Sequence, residues 1–243
     1  LGHNIRDEDE LISAKERIGY LPSNPAFDES VTGQAILDLH ASIKGDERRE
    51  ELLDIFDPPL DRKVREYSTG NVQKLGLLQA FMHNPDVVIM DEPTSGLDPL
   101  MQQRFNEFIR DEKEKGTTIF FSSHILSEVR RVCDRVGILR DGRLVTTEDI
   151  EGLLNRSGKF VRARVADSVE VEGVNIGGVH DVKINAIREE RGQQEITELT
   201  FTYTGDINEL LNLLSDHTLL DLDVEEAPLE EVFMRFYGGE QDV

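Results

Sequence analysis

The apolar positions of this chain change rhythm several times, and each change marks an element. Val72, Leu75, Leu78 and Phe81 or Met82 recur at the spacing of an amphipathic helix, opened by Ser68-Thr69-Gly70-Asn71 and closed by Asn84-Pro85-Asp86. Val87-Val88-Ile89-Met90 has no polar gap and reads as a short strand buried on both faces, as in a parallel sheet. The spacing then predicts a helix over Leu100–Lys115, with Met101, Phe105, Phe108 and Ile109 on one face and Gly116 capping it. Thr117–Phe121 is the next strand. Ser122 or Ser123 caps a helix running to Cys133, which places His124 in its first turn. Val136–Arg140 and Arg143–Thr146 flank Asp141-Gly142, a hairpin signal. Nearer the start, Arg17–Leu21 is a short strand stopped by Pro22, and helices run from Ser30-Val31-Thr32 to His40 and from Glu47 to Phe56.

From about Asn155 the texture shifts to short alternating segments at Phe160–Val165, Val182–Ile187, Leu199–Tyr203 and Leu219–Val224, with helices at Ile207–Leu214 and Leu229–Tyr237. The pattern predicts an α/β domain over 1–154 with a mostly parallel sheet, followed by a small α+β domain with an antiparallel sheet over 155–243.

Chemistry concentrates between Tyr67 and Pro99. The amides opening the helix after Ser68 form an end that attracts phosphate, although a serine there also serves as a plain N-cap. Asp91 and Glu92 leave the carboxyl end of the Val87–Met90 strand, where open α/β sheets place their ligands. One carboxylate there can hold magnesium while its neighbour takes a proton from water. Two adjacent acids can equally be solvated loop residues.

The order of these pieces resembles the ATP-binding-cassette (ABC) ATPases. Ser68, Gly70 and Gln73 match the family's signature motif, with Thr69 and Asn71 as departures; Val87 to Glu92 matches its Walker B strand, and Ser95-Gly96-Leu97-Asp98 the loop that follows. His124 falls where the family keeps its switch histidine. The resemblance covers the first two-thirds of the chain and implies a P-loop NTPase-like fold whose helical subdomain spans about 28–83. It implies two subunits, as a homodimer or heterodimer, closing on ATP and Mg2+. Ser68 and the Gly70 amide would face the γ-phosphate held by the other subunit, with Gln73 in the same nucleotide-binding group. Asp98 would signal across the interface, Asp91 would anchor magnesium, Glu92 would activate water, and His124 would hold the phosphate in line. Where the family carries a magnesium-sensing glutamine, this chain has Ser23. Leu229-Glu230-Glu231-Val232-Phe233 is similar to the tail of subunits serving export-type permeases, which implies a membrane permease as partner and a place on the cytoplasmic face of the membrane.

One departure is large. The phosphate-binding pattern GxxxxGK[ST] does not occur, since the single Gly-Lys pair, Gly158-Lys159, is followed by Phe160. The expectation is an N-terminally truncated chain, inactive alone. Its rivals are an ABC ATPase working outside transport and a non-enzymatic regulatory or assembly module.

Composition adds a setting. The formal charge is −22, from 49 acidic against 27 basic residues, and only 8 of the basic ones are lysines. Such self-repulsion is tolerable where salt screens it, so a halophilic protein is expected. Nucleic acid, which needs a basic footprint, is not an expected partner. Cys133 is the single cysteine, which excludes an intrachain disulfide and points to a packing role. No apolar run has the length of a membrane span and no signal peptide is visible.

Overall fold

The computed structural model describes residues 1–166, 177–188 and 195–226. The chain divides into two compact units, Leu1–Val132 and Cys133–Val243.

The first unit begins with helix α1 (Glu8–Glu16), whose first turn is held by Asp7, its carboxylate accepting from the amides of Asp9 and Glu10. Strand β1 (Ile18–Leu21), helices α2 (Gly33–Lys44) and α3 (Arg49–Phe56), a single 3-10 turn at Val64–Glu66 and helix α4 (Thr69–Phe81) follow. Strand β2 (Val87–Asp91), helix α5 (Pro99–Glu114), strand β3 (Thr118–Ser122) and helix α6 (Leu126–Val132) complete it. The three strands form a parallel sheet in the order β1-β2-β3. Helix α4 lies against β1 so closely that a Cβ on Gly19 would sit 2.1 Å from the Ala80 carbonyl oxygen, so only glycine fits there.

The helical segment is fastened to this sheet layer by packing and by charge. Phe56 of α3 meets Phe108 of α5 edge-on at 5.4 Å, and Phe108 meets Phe81 of α4 at 4.8 Å; such pairs add about 1 kcal/mol each beyond their burial. Arg48, just before α3, reaches the buried Glu112 with two hydrogen bonds of 2.6 Å, and Glu51 and Lys115 complete the cluster. The Arg48 contact holds the Glu51 carboxyl down at about 2.

The second unit opens with β4 (Arg135–Arg140) and β5 (Arg143–Asp149), an antiparallel hairpin. Asp141 and Gly142 both take positive φ at its tip, the turn whose twist matches the strands. After α7 (Ile150–Ser157) come β6 (Lys159–Val165), β7 (Val179–Arg188), β8 (Glu195–Tyr203), α8 (Ile207–Ser215) and β9 (Leu219–Glu226). These four strands form an antiparallel sheet in the order β7-β8-β6-β9. Val161, Ala163, Val165, Leu199, Phe201 and Tyr203 meet Leu210 and Leu214 of α8 in its core.

The α/β class, with a parallel sheet, a helical segment and an α+β portion, stands as expected, with three corrections. Strand β2 buries Val88 and Met90 but leaves Ile89 37% exposed, so this uniformly apolar strand is covered on one face. Helix α4 is not amphipathic: Gln73, Leu75, Gly76, Leu77, Leu78, Ala80 and Phe81 are all buried, because sheet and helices enclose it. Helix α6 begins at Leu126, so His124 sits in the loop before it rather than in its first turn. Helix α1 has no clear apolar period, whereas α7 sets Ile150, Leu153 and Leu154 at helical spacing in a run too short to stand out between two strands; neither was anticipated. By contacts the division falls after Val132, grouping the hairpin with the second unit. The anticipated helix at Leu229–Tyr237, with the Leu229–Phe233 tail, lies outside the described residues. Among the described residues no helix is long and apolar enough to cross a membrane.

Candidate nucleotide site

Because β1, β2 and β3 run parallel, the chain leaves all three at one edge of the sheet. Ser23 follows β1, Asp91 and Glu92 end β2, and Ser122, Ser123 and His124 end β3. The register pairs Asp91 with Ser122. The Ser122 hydroxyl donates a short hydrogen bond to Asp91 Oδ1, which leaves Oδ2 of this exposed carboxylate for a cation.

Glu92 has a left-handed backbone, φ 49°. A side chain rarely adopts that conformation without being forced, and such residues cluster at functional sites. The forces are visible. The Glu92 amide donates to both the carbonyl and the hydroxyl oxygen of Ser122, each at 3.2 Å. The buried Gln73 side-chain amide donates to the carbonyls of Glu92 (3.3 Å) and Pro93 (2.9 Å), tying α4 to this turn. The Glu92 carboxylate meets the loop after β3, where His124 Nδ1 donates to Oε2 at 2.8 Å. That bond, and then the charge of Glu92, raise the His124 pKa above the ordinary histidine value. The imidazole is otherwise open to solvent, its side chain 77% exposed.

The turn at Ser68 lies on the surface, with Ser68 and Thr69 exposed. Ser68 caps α4, its hydroxyl accepting from the Asn71 amide at 3.3 Å. Gly70 has a reason inside its own chain: a Cβ there would sit 2.7 Å from the Gly96 carbonyl oxygen. The signature turn and the loop after Glu92 therefore rest on each other. Asp98 caps α5, accepting from the Met101 amide at 3.0 Å.

The structure thus brings Glu92 and His124 together, sets Asp91 and Ser23 at the same sheet edge, and couples Gln73, Gly70 and Asp98 to the connecting loop. Ser122, Thr94 and Glu128 also build this region and escaped the sequence reading. In the sequence Ser122 has only the look of a helix cap, which does not point to Asp91. Glu128 did carry one, as an acid interrupting the apolar positions Ile125, Val129 and Val132. His40 and His83, read as structural, meet each other: their rings approach at 3.5 Å, and His83 Nε2 donates to the Ile18 carbonyl of β1 at 3.3 Å.

This geometry gathers two carboxylates, a histidine and several hydroxyls at the carboxyl edge of a parallel sheet, and comparison with known proteins places the chain beside ATP-binding proteins. Residues 4–130 match the family described as "AAA domain, putative AbiEii toxin, Type IV TA system". An uncharacterized ABC transporter ATP-binding protein of Nostoc is 40% identical over 60% of this chain and 47% of its own length. Another from Synechocystis is 32% identical over 97% of this chain and 65% of its own length. A solved structure of the ATP-binding subunit of an ABC transporter superposes with a TM-score of 0.55 at 30% identity, over 63% of this chain and 66% of that one. The chain belongs to this AAA-type family, among the ABC transporter ATP-binding proteins. It spans about half to two-thirds of the length of these two relatives.

Proposed function

We propose that this chain carries the hydrolytic half of an ATP-driven motor that works on a membrane permease from the cytoplasmic face, with residues 1–154 as ATPase domain and 155–243 as accessory domain. The contact between Glu92 and His124 carries the reading. With His124 holding Oε2, the other Glu92 oxygen takes the proton of the attacking water, and His124 Nε2 steadies the γ-phosphate.

The residues fit a magnesium ion, which commonly takes one or two protein oxygens and completes its shell with phosphate and water. Asp91 Oδ2 and the Ser23 hydroxyl would supply them, and the ion when bound would offset charge on the phosphates. Ser68 and the Gly70 amide stand at the surface where a second ATPase subunit would present its nucleotide. Gln73 serves that nucleotide indirectly, by holding the Glu92 turn. Asp98, on the loop that touches Gly70, carries the signal between subunits.

A phosphate cradle of the GxxxxGK[ST] kind is not among the 243 residues, so purified chain is expected to hydrolyse ATP at background rate in a phosphate-release assay. A robust rate would sink that expectation. In a version carrying such a segment ahead of Leu1, Glu92→Gln abolishes turnover and traps an ATP-bound dimer, and brisk hydrolysis by it would remove Glu92 as the base. In the same version Ser68→Arg blocks dimer closure while its own subunit still binds ATP, which gel filtration with labelled nucleotide resolves.

A further inference from the structure

Glu128, on α6, is a carboxylate in an expensive place. It is 5% exposed, and burial pushes its pKa up despite two hydroxyl donors. Its Oε2 accepts from Thr94 Oγ1 at 3.0 Å and from Ser123 Oγ at 3.3 Å, whereas Oε1 is buried with no hydrogen-bond partner among the described residues. An unsatisfied buried carboxylate oxygen costs stability, and an apolar side chain between Val129 and Ile125 would avoid that cost. What the carboxylate does instead is join two loops. Thr94, itself buried, stands two residues after Glu92. Ser123 stands next to His124, and its hydroxyl also accepts from the Ile125 amide at 3.0 Å.

We propose that Glu128 is the positioning residue of the Glu92–His124 pair, its single oxygen fastening the loop after β2 to the loop after β3 through Thr94 and Ser123. The inference rests on the reading of that pair as hydrolytic, yet its geometry stands without nucleotide. Cross-strand bonds already fix the backbone at Glu92, but His124 lies beyond the last strand pairing, so Ser123 anchors the segment that aims the imidazole. Helix α6 then carries the loop with it.

The test is the titration of His124, read by NMR of the full chain with labelled histidines and assigned with His124→Gln. Two carboxylates face this ring, Glu92 and Glu128. Glu128→Ala lets the loop go, and the His124 pKa falls back to the ordinary histidine value. Glu128→Gln keeps an oxygen acceptor for both hydroxyls, so most of the elevation survives. Because Glu128→Ala can fail to fold, the pair Thr94→Val with Ser123→Ala serves as the second variant; it keeps the carboxylate, removes both donors, and is expected to lower the His124 value as Glu128→Ala does. An unchanged titration in either folded variant overturns the proposal. So does an equal fall in Glu128→Gln and Glu128→Ala, which would mean that only the charge matters. None of these outcomes touches the turnover test of Glu92→Gln, so the two readings fail separately.

Discussion

The two faces of the β1-β2-β3 sheet are made from alternate residues of the same strands and differ sharply. On one face Leu21, Val88 and Met90 are buried, with α4 pressed onto Gly19. On the other, Tyr20, Ile89 and Phe120 stand side by side in register, exposed by 60%, 37% and 70%. Parallel sheets are ordinarily covered on both sides. Apolar character in a strand therefore measures what a residue is able to bury, whereas its contribution to stability depends on what lies above it. The site straddles this difference, since Asp91 belongs to the open face and Gln73 reaches the Glu92 turn from the covered side.

The comparison can be broken at several levels. The largest effect is expected from salt. At a net charge of −22 the chain should unfold in dilute buffer and recover in molar potassium chloride, followed by circular dichroism. Equal stability in both conditions would remove the halophilic reading. Next, Leu21→Ala on the covered face should cost about 2–5 kcal/mol in urea unfolding.

Acid comes third and contrasts two histidine sites. Burial, then the neighbouring His83 and Lys44, hold the His40 pKa down to about 4, and burial also lowers His83. Unfolding restores their ordinary affinity for protons, so their contribution is complete above about pH 6.5 and erodes as pH falls toward the folded value. His124 runs the other way. Its charged form is favoured beside ionised Glu92, so that contact is complete just below the ordinary histidine pKa of about 6.5 and is lost as pH rises through the elevated value. A stability curve flat between pH 7 and 4 would contradict the buried pair. The smallest effect belongs to the open face, where Phe120→Ser should change unfolding free energy by no more than about 0.5 kcal/mol. A loss comparable with Leu21→Ala would show that the face is covered in solution.

Much of the architecture was legible from local signals. The strand at Val87, the helix over Met101, Phe105, Phe108 and Ile109, the Asp-Gly hairpin and the antiparallel segments after Lys159 all declare themselves through periodicity and turn chemistry. The helix start beyond His124 did not, because Ser122 and Ser123 both look like caps and each is engaged elsewhere, on Asp91 and on Glu128. Gly70 and Gln73 could be singled out by pattern. That Gly70 is pressed by Gly96, and that Gln73 spends its amide on two carbonyls, could not.

Sequence alone determined which segments become strands and that acids would stand at the end of β2, because these follow from side-chain spacing and short-range backbone preference. Tertiary structure alone decided that Glu92 would meet His124, that Glu128 would be buried between Thr94 and Ser123, and that Val88 would be covered while Phe120 is open. Those outcomes depend on strand register and on which helix lies over which face, and both are set by contacts between residues far apart in the chain.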